Sequence, residues 1–189
     1  MSRPSIANIR RAEILSAFER CIRQRGLEAT TVQHVADRAG VQRTLINHYF
    51  GDKKALIAAL VREIVETSTR QFGSSLGDDQ ALSDSLEYIF DGRMDRTGNV
   101  IEALRASSSN DRATRRLLRE MYENFEKILC GYLMRLFPHA PEPRCRAVAF
   151  SVMCLAAGSS RFTAVGFGGG RRSEAAGAAE SLVSGLGRS

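Results

Sequence analysis

"TTVQHVADRAGVQRTLINHYF", residues 30–50, decides the fold. Two short segments with helical spacing flank one glycine. Thr30 or Thr31 can cap the first segment, because a threonine hydroxyl accepts from the open N–H groups of a helix start. Gly40 interrupts the first segment after about two turns of 3.6 residues, and Gly51 closes the second. Two short helices joined by a tight glycine turn make a helix-turn-helix. That unit has physical demands, and the residues meet them. The close crossing needs a small side chain, which is Ala36. The turn needs a residue that tolerates positive φ, which is Gly40. Apolar anchors must flank both, and Val32, Val35, Val41, Ile46 and Tyr49 qualify.

In such a unit the exposed start of the second helix enters the major groove of DNA. Here it offers Gln42, Arg43, Thr44, Asn47 and His48. Arginine can bind a guanine edge through two parallel bonds and asparagine can do the same at adenine, each worth about 1–3 kcal/mol of discrimination. The charge distribution agrees. Residues 1–54 hold ten Lys/Arg against five Asp/Glu, and residues 55–189 hold seventeen against sixteen. Nearly all of the net charge of +6 therefore sits in the first third, as a polyanion contact would require.

Outward from this unit the chain reads as all-α, with no convincing period-2 run. "SIANIRRAEILSAFERCIRQRG" places Ile9, Ile14, Leu15, Phe18, Cys21 and Ile22 on one stripe that ends at Gly26. Asp52 caps a fourth helix, "KKALIAALVREIVETSTRQF", with Ala55, Leu56, Ala59, Leu60, Ile64 and Val65 as its buried face. "GSSLGDDQ" reads as a linker. Helices follow through "ALSDSLEYIF", around "NVIEALRAS", from Arg112 to Phe137, from Pro143 to Val165, and over "SEAAGAAESLVSGL". The Arg112–Phe137 stripe includes Met121, Tyr122, Phe125, Leu129, Tyr132, Leu133 and Leu136. "GFGGGRR" reads as a flexible connection; it lacks the G-K-[ST] ending of a phosphate loop.

Several function classes find no support in these residues. The four cysteines, at 21, 130, 145 and 154, form no C-x-x-C pair, and the three histidines are scattered, so no metal framework is expected. No nucleophile–base pattern or cofactor fingerprint appears, so neither an enzyme nor a cofactor is expected. The longest weakly apolar run, Ala147–Ser160, is short of the roughly 18 residues that a bilayer requires. Reduced thiols and the lack of a visible leader point to a cytoplasmic protein without a membrane partner.

Residues 9–65 resemble the DNA-binding domain of the TetR family of bacterial transcriptional regulators. The resemblance rests on the Thr-Thr opening, the Ala-Gly-Val turn, the aromatic-Phe pair, and the Lys and Leu that follow in "TTVQHVADRAGVQRTLINHYFGDKKALIAALV". "LINHYF" with the "IRR" start is similar to the BetI-type sub-branch of choline-responsive repressors, although a choline cage needs aromatic faces and this chain has no tryptophan. The resemblance implies an N-terminal three-helix DNA-binding domain over residues 1–54. It implies a larger helical domain over 55–189 that dimerises and binds a small effector. By the same resemblance Thr31, Tyr49 and Lys53 contact phosphates, and Gln42, Arg43, Thr44 and His48 face bases. Asn47 stands where many members have tyrosine. Candidate effector-lining residues are Tyr88, Phe90, Met94, Arg105, Met121, Phe125 and Met153. Small residues in the last two helices allow the close helix approach of a four-helix dimer interface. The function implied is a homodimeric repressor released from a pseudo-palindromic double-stranded operator by an effector. The alternative is an activator or architectural regulator without an effector.

Overall fold

Glycines and capping side chains cut the first 75 residues into four helices. The computed structural model describes residues 5–77, 81–90, 100–101, 103–104, 106, 112–168 and 170–187. Helix α1 spans Ile6–Arg25, α2 Val32–Ala39, α3 Arg43–Phe50 and α4 Lys53–Ser75. They are followed by α5 (Leu82–Phe90), α6 (Arg112–Leu136), α7 (Glu142–Ala164) and α8 (Arg171–Ser184), with a closing 3-10 turn at Gly185–Gly187. Residues 100, 101, 103, 104 and 106 are helical as well, and no strand occurs among the described residues. The all-α reading of the sequence holds, with helix ends within a few residues of those expected.

The chain divides into two compact units: Met1–Val65 with Asn99–Leu118, and Glu66–Gly98 with Arg119–Ser189. In the first, Ile14, Leu15, Phe18, Cys21 and Ile22 of α1 are buried together with Val35 and Ala36 of α2, Ile46 and Phe50 of α3, and Leu56, Leu60, Val61 and Ile64 of α4. Ser5 caps α1, its hydroxyl accepting from Asn8 N at 3.2 Å. The expected stripe of α1 is used only from Ile14 onward, and Ile9 is 46% exposed. On α4, Ala55 is exposed, because it lies in the first turn beside the Asp52 cap, and Val61 takes a place in the core instead.

The turn between α2 and α3 is built on Gly40, which adopts φ 64° and ψ 36°, the left-handed region. Its N–H reaches back to Asp37 O at 3.4 Å, and Val41 N donates to Ala36 O at 3.0 Å. Ala36 is fully buried, as the close crossing demands.

In the second unit α7 and α8 pack on each other, and α5 packs on both. Helix α6 buries Met121, Phe125, Leu129, Tyr132 and Leu133, whereas Tyr122 and Leu136, at the margins of the expected stripe, are 38% and 41% exposed. Two connections differ from the sequence reading. Gly73, Ser74 and Ser75 of the expected linker belong to α4, and Leu76 beyond them is buried. The reason is local tertiary bonding: Ser85 Oγ donates to Ser75 O at 3.1 Å and Arg135 Nη2 to Leu76 O at 3.0 Å. The glycine-rich connection after α7 is tight rather than loose. Phe167 N donates to Phe162 O at 2.9 Å, and a Cβ on Gly168 would lie 2.9 Å from Thr163 Cα.

The short apolar run expected over Ala147–Ser160 is part of a 23-residue helix, α7, which by length and composition is apolar enough to cross a membrane. Only 11% of its apolar window is buried within the chain.

A methyl group on Gly40 would meet nothing within 4 Å, so its cost is purely conformational. Gly40→Ala should therefore destabilise the first unit by about 1–2 kcal/mol, and Gly40→Asn by less. Denaturant unfolding of the variants checks this; equal stability of Gly40→Ala and the parent would show that the turn is not held in the left-handed region.

Candidate nucleic-acid interface

The edge of α2 is set by a reciprocal cap. Thr31 Oγ1 accepts from His34 N at 3.2 Å, and Thr31 N donates to His34 Nδ1 at 3.3 Å. This is a capping box with histidine in the place usually held by glutamate or glutamine. His34, which nothing local in the sequence marks out, is half-buried and closes the helix start. Its carbonyl also accepts the Cys21 thiol at 3.5 Å. Of the two threonines proposed as cap, Thr31 serves. Thr30 is fully buried and donates to Gly26 O at 2.6 Å. Thr31 itself stays exposed.

Helix α3 buries Ile46 and Phe50, one turn apart, and turns its other side outward. Gln42, Arg43, Thr44, Asn47 and His48 are all exposed. Residues four apart share a helix face. Arg43 and Asn47 therefore form one exposed row and Thr44 and His48 a second. Asn47 belongs to the outward surface, in line with Arg43. Tyr49 is half-buried, its ring 5.6 Å from His48 in an edge-on arrangement.

Three side chains brace this helix-turn-helix head. Asp52 Oδ1 accepts from Ala55 N at 2.7 Å and caps α4. Arg11 Nη1 donates to Tyr49 O at 2.7 Å. Lys53 Nζ donates to Leu27 O at 3.0 Å and Glu28 O at 3.3 Å, beyond the end of α1. An ammonium has three donors, and two of those on Lys53 serve the fold. The sequence suggested only the anion role, and Arg11 was not singled out at all. Neither bond is visible in the chain, because each joins residues 25 or more positions apart.

The candidate effector residues behave differently from one another. Phe90, Met121 and Phe125 are buried, whereas Tyr88 and Met153 are partly exposed. Met94 and Arg105 lie outside the described residues. Phe125 stacks on Phe72, with centroids 4.7 Å apart, a partner on α4 that sequence spacing did not point to. One turn before Phe72, the buried Thr69 hydroxyl has no hydrogen-bond partner among the described residues. Also in this unit, Ser85 Oγ and Tyr132 Oη lie 3.2 Å apart in a buried pair. Burial pushes the Cys130 thiol up from its ordinary range, reinforced by the neighbouring Cys145, with Arg146 opposing. Cys154 is the exposed cysteine. No cluster of three metal-binding side chains occurs among the described residues.

A capped short helix, a left-handed glycine turn and a second helix with two exposed polar rows define a helix-turn-helix DNA-binding protein. Comparison with known proteins agrees. Residues 14–60 match the family model of bacterial regulatory proteins of the tetR family. The HTH-type transcriptional regulator BetI of Stenotrophomonas maltophilia is 29% identical over 162 residues, 81% of each chain. A TetR transcription regulator from Haloarcula marismortui superposes with a TM-score of 0.75 at 16% identity, covering 94% of this chain and 97% of the other. A protein from Saccharomonospora viridis, solved in complex with choline, gives 0.77 at 15% identity over 92% and 95%. Residues 14–60 thus match the tetR family model, and 94% of the chain shares the fold of the solved TetR regulator. The relatives it matches are named as transcriptional regulators.

Arg43 is exposed on the outward row. Arg43→Ala should leave stability within about 0.5 kcal/mol and relax sequence preference. Lys53→Ala removes two bonds from a charged donor. It should cost about 1.5–3 kcal/mol of stability, weaken binding to all sequences, and flatten the salt dependence. Thermal unfolding paired with binding titrations at several salt concentrations separates the two; an unchanged melting temperature for Lys53→Ala would refute the internal role.

Proposed function

We propose that this protein is a homodimeric, ligand-responsive repressor that reads a pseudo-palindromic operator with α3. The observation that carries the reading is the pair of exposed rows on α3, Arg43 with Asn47 and Thr44 with His48, on a helix whose opposite side is buried. Gln42 extends this surface at the helix start. Base edges would be met by these residues, and phosphates by Thr31, Tyr49 and the remaining donor of Lys53. Phosphate contacts would set the register and base contacts the sequence. Reading is placed in residues 1–54, and effector binding and dimerisation in 55–189.

Support for a dimer comes from α7. Ala147, Phe150, Cys154, Ala157 and Arg161 are exposed at alternating spacings of three and four, the seam of a helix pair. Phe150 is 58% exposed, and the small residues around it allow close approach by a second copy. Support for an effector comes from the Thr69 hydroxyl, buried without a partner among the described residues one helical turn before the stacked Phe72, a polar group that a ligand would satisfy. The structure from Saccharomonospora viridis holds choline in this fold. An effector would release DNA by binding more tightly to a conformation that DNA disfavours, and DNA would weaken effector binding by the same factor.

Selection of bound duplexes from a random pool should return an inverted repeat. Mobility shifts with that repeat should weaken steeply with salt. Recovery of no common sequence, or salt-insensitive binding, would sink the reading of α3 as a recognition helix. Small-molecule screening by calorimetry then separates the ligand-responsive repressor from a regulator without an effector: a hit should release the repeat.

Alkylation addresses the dimer. Cys154 should react ahead of the buried Cys21, Cys130 and Cys145 in dilute protein and slow markedly as concentration rises through the dimerisation range. A Cys154 rate that is independent of concentration, while sedimentation shows a dimer, would place the interface elsewhere.

A further inference from the structure

We propose that Arg11, on α1, is a specificity-determining positioning residue: it fixes the angle of α3 from behind without touching bases. Helix α3 has eight residues. A helix of this length does not hold itself in water, where roughly 12–15 residues are marginal. Its orientation must therefore come from its anchors. Two are the buried side chains Ile46 and Phe50. At its start, Gln42 makes no side-chain cap bond. At its end, Arg11 supplies two further contacts. Nη1 donates to Tyr49 O at 2.7 Å, and the guanidinium carbon stands 4.5 Å from the centre of the Phe50 ring.

These contacts suit the site chemically. The last carbonyls of a helix carry partial negative charge and favour a cation. The ring face of Phe50 attracts the same cation. A planar guanidinium can serve a carbonyl and a ring together, which an ammonium cannot do with one geometry. Arg10, its neighbour, is instead paired with Glu13 on the helix surface at 2.7 Å.

The lever is short but sufficient. Eight residues rise about 12 Å along a helix axis. A tilt of about 10° pivoting at the gripped end would move the opposite end by about 2 Å. Base-edge hydrogen bonds tolerate only a few tenths of an ångström around their usual 2.7–3.2 Å range. Arg43 and Thr44, at the far end from Arg11, would lose register first. Loss of the grip thus erodes discrimination while the charges that attract DNA stay in place.

The rival role, a direct phosphate contact by Arg11, has a different signature. It predicts parallel loss of specific and non-specific binding, with a salt slope lowered by about 0.9 for each contact.

The inference rests on α3 being the reading helix, so the experiment has two arms. In the first, hydrogen exchange of α3 amides is compared in the full-length parent, Arg11→Lys and Arg11→Met, without DNA. Both variants should exchange at least fivefold faster at residues 47–51, with α2 unchanged. In the second, the parent and variants are titrated with the selected inverted repeat and with a scrambled duplex. Arg11→Lys should lose at least tenfold in the ratio of specific to non-specific affinity, with non-specific affinity and salt slope retained. Should Arg11→Met fail to fold, Arg11→Lys carries both arms. Unchanged α3 exchange overturns the inference, as does parental discrimination in Arg11→Lys or a parallel fall on both duplexes. If the parent itself shows no sequence preference, the recognition reading fails, and the exchange arm still decides whether Arg11 grips α3.

Discussion

The close crossing of α2 and α3 is the constraint on which the helix-turn-helix head depends. It exists because Ala36 presents only a methyl group at the contact and Gly40 takes up a left-handed conformation that most residues resist. With that turn in place, Val35 and Ile46 share one core with Phe18 and Ile22 of α1. The opposite side of α3 then has no route inward. The exposed rows of polar side chains on α3 are thus a consequence of how its apolar side is anchored.

Around this crossing the head is secured largely by polar bonds to backbone carbonyls and amides. Arg11 holds the end of α3, Lys53 holds the chain after α1, and Asp52 and Thr31 close the starts of α4 and α2. Each group meets an open N–H or C=O that a short helix cannot satisfy within itself. Two of the four are cations in a region that carries most of the excess positive charge. Positive charge in this unit therefore also closes the open ends of helices. Lys53 also begins α4, a 23-residue helix.

Much of this was legible in the chain. Helix starts at Thr31 and Asp52, breaks at Gly26, Gly40 and Gly51, and the outward set on α3 all follow from local rules of capping and spacing. Such rules fail where distant residues decide. His34 reads as a surface residue until its ring is found closing the box with Thr31. "GFGGGRR" reads as loose because glycine permits freedom, yet Gly168 packs against Thr163 where a Cβ would collide. Ser75 and Leu76 read as linker, and bonds from Ser85 and Arg135 draw them into folded structure. The criterion that marks the candidate effector residues, Arg105 apart, is an aromatic or methionine side chain at core spacing. That criterion cannot separate a packed Met121 from a partly exposed Met153, because both follow the same period.

The sequence by itself determined the all-helical class, the helix-turn-helix and the identity of its exposed face. Periodicity, caps and glycines act within a few residues, and their energies do not wait for the rest of the chain. Tertiary structure alone decided which cations turn inward, what holds α3 at its far end, and which aromatic rings meet. Those outcomes join residues 25 to 53 positions apart, as in Lys53 with Glu28, Arg11 with Tyr49, and Phe72 with Phe125. A directional bond over such a separation exists only once both helices are in place, so no local pattern records it.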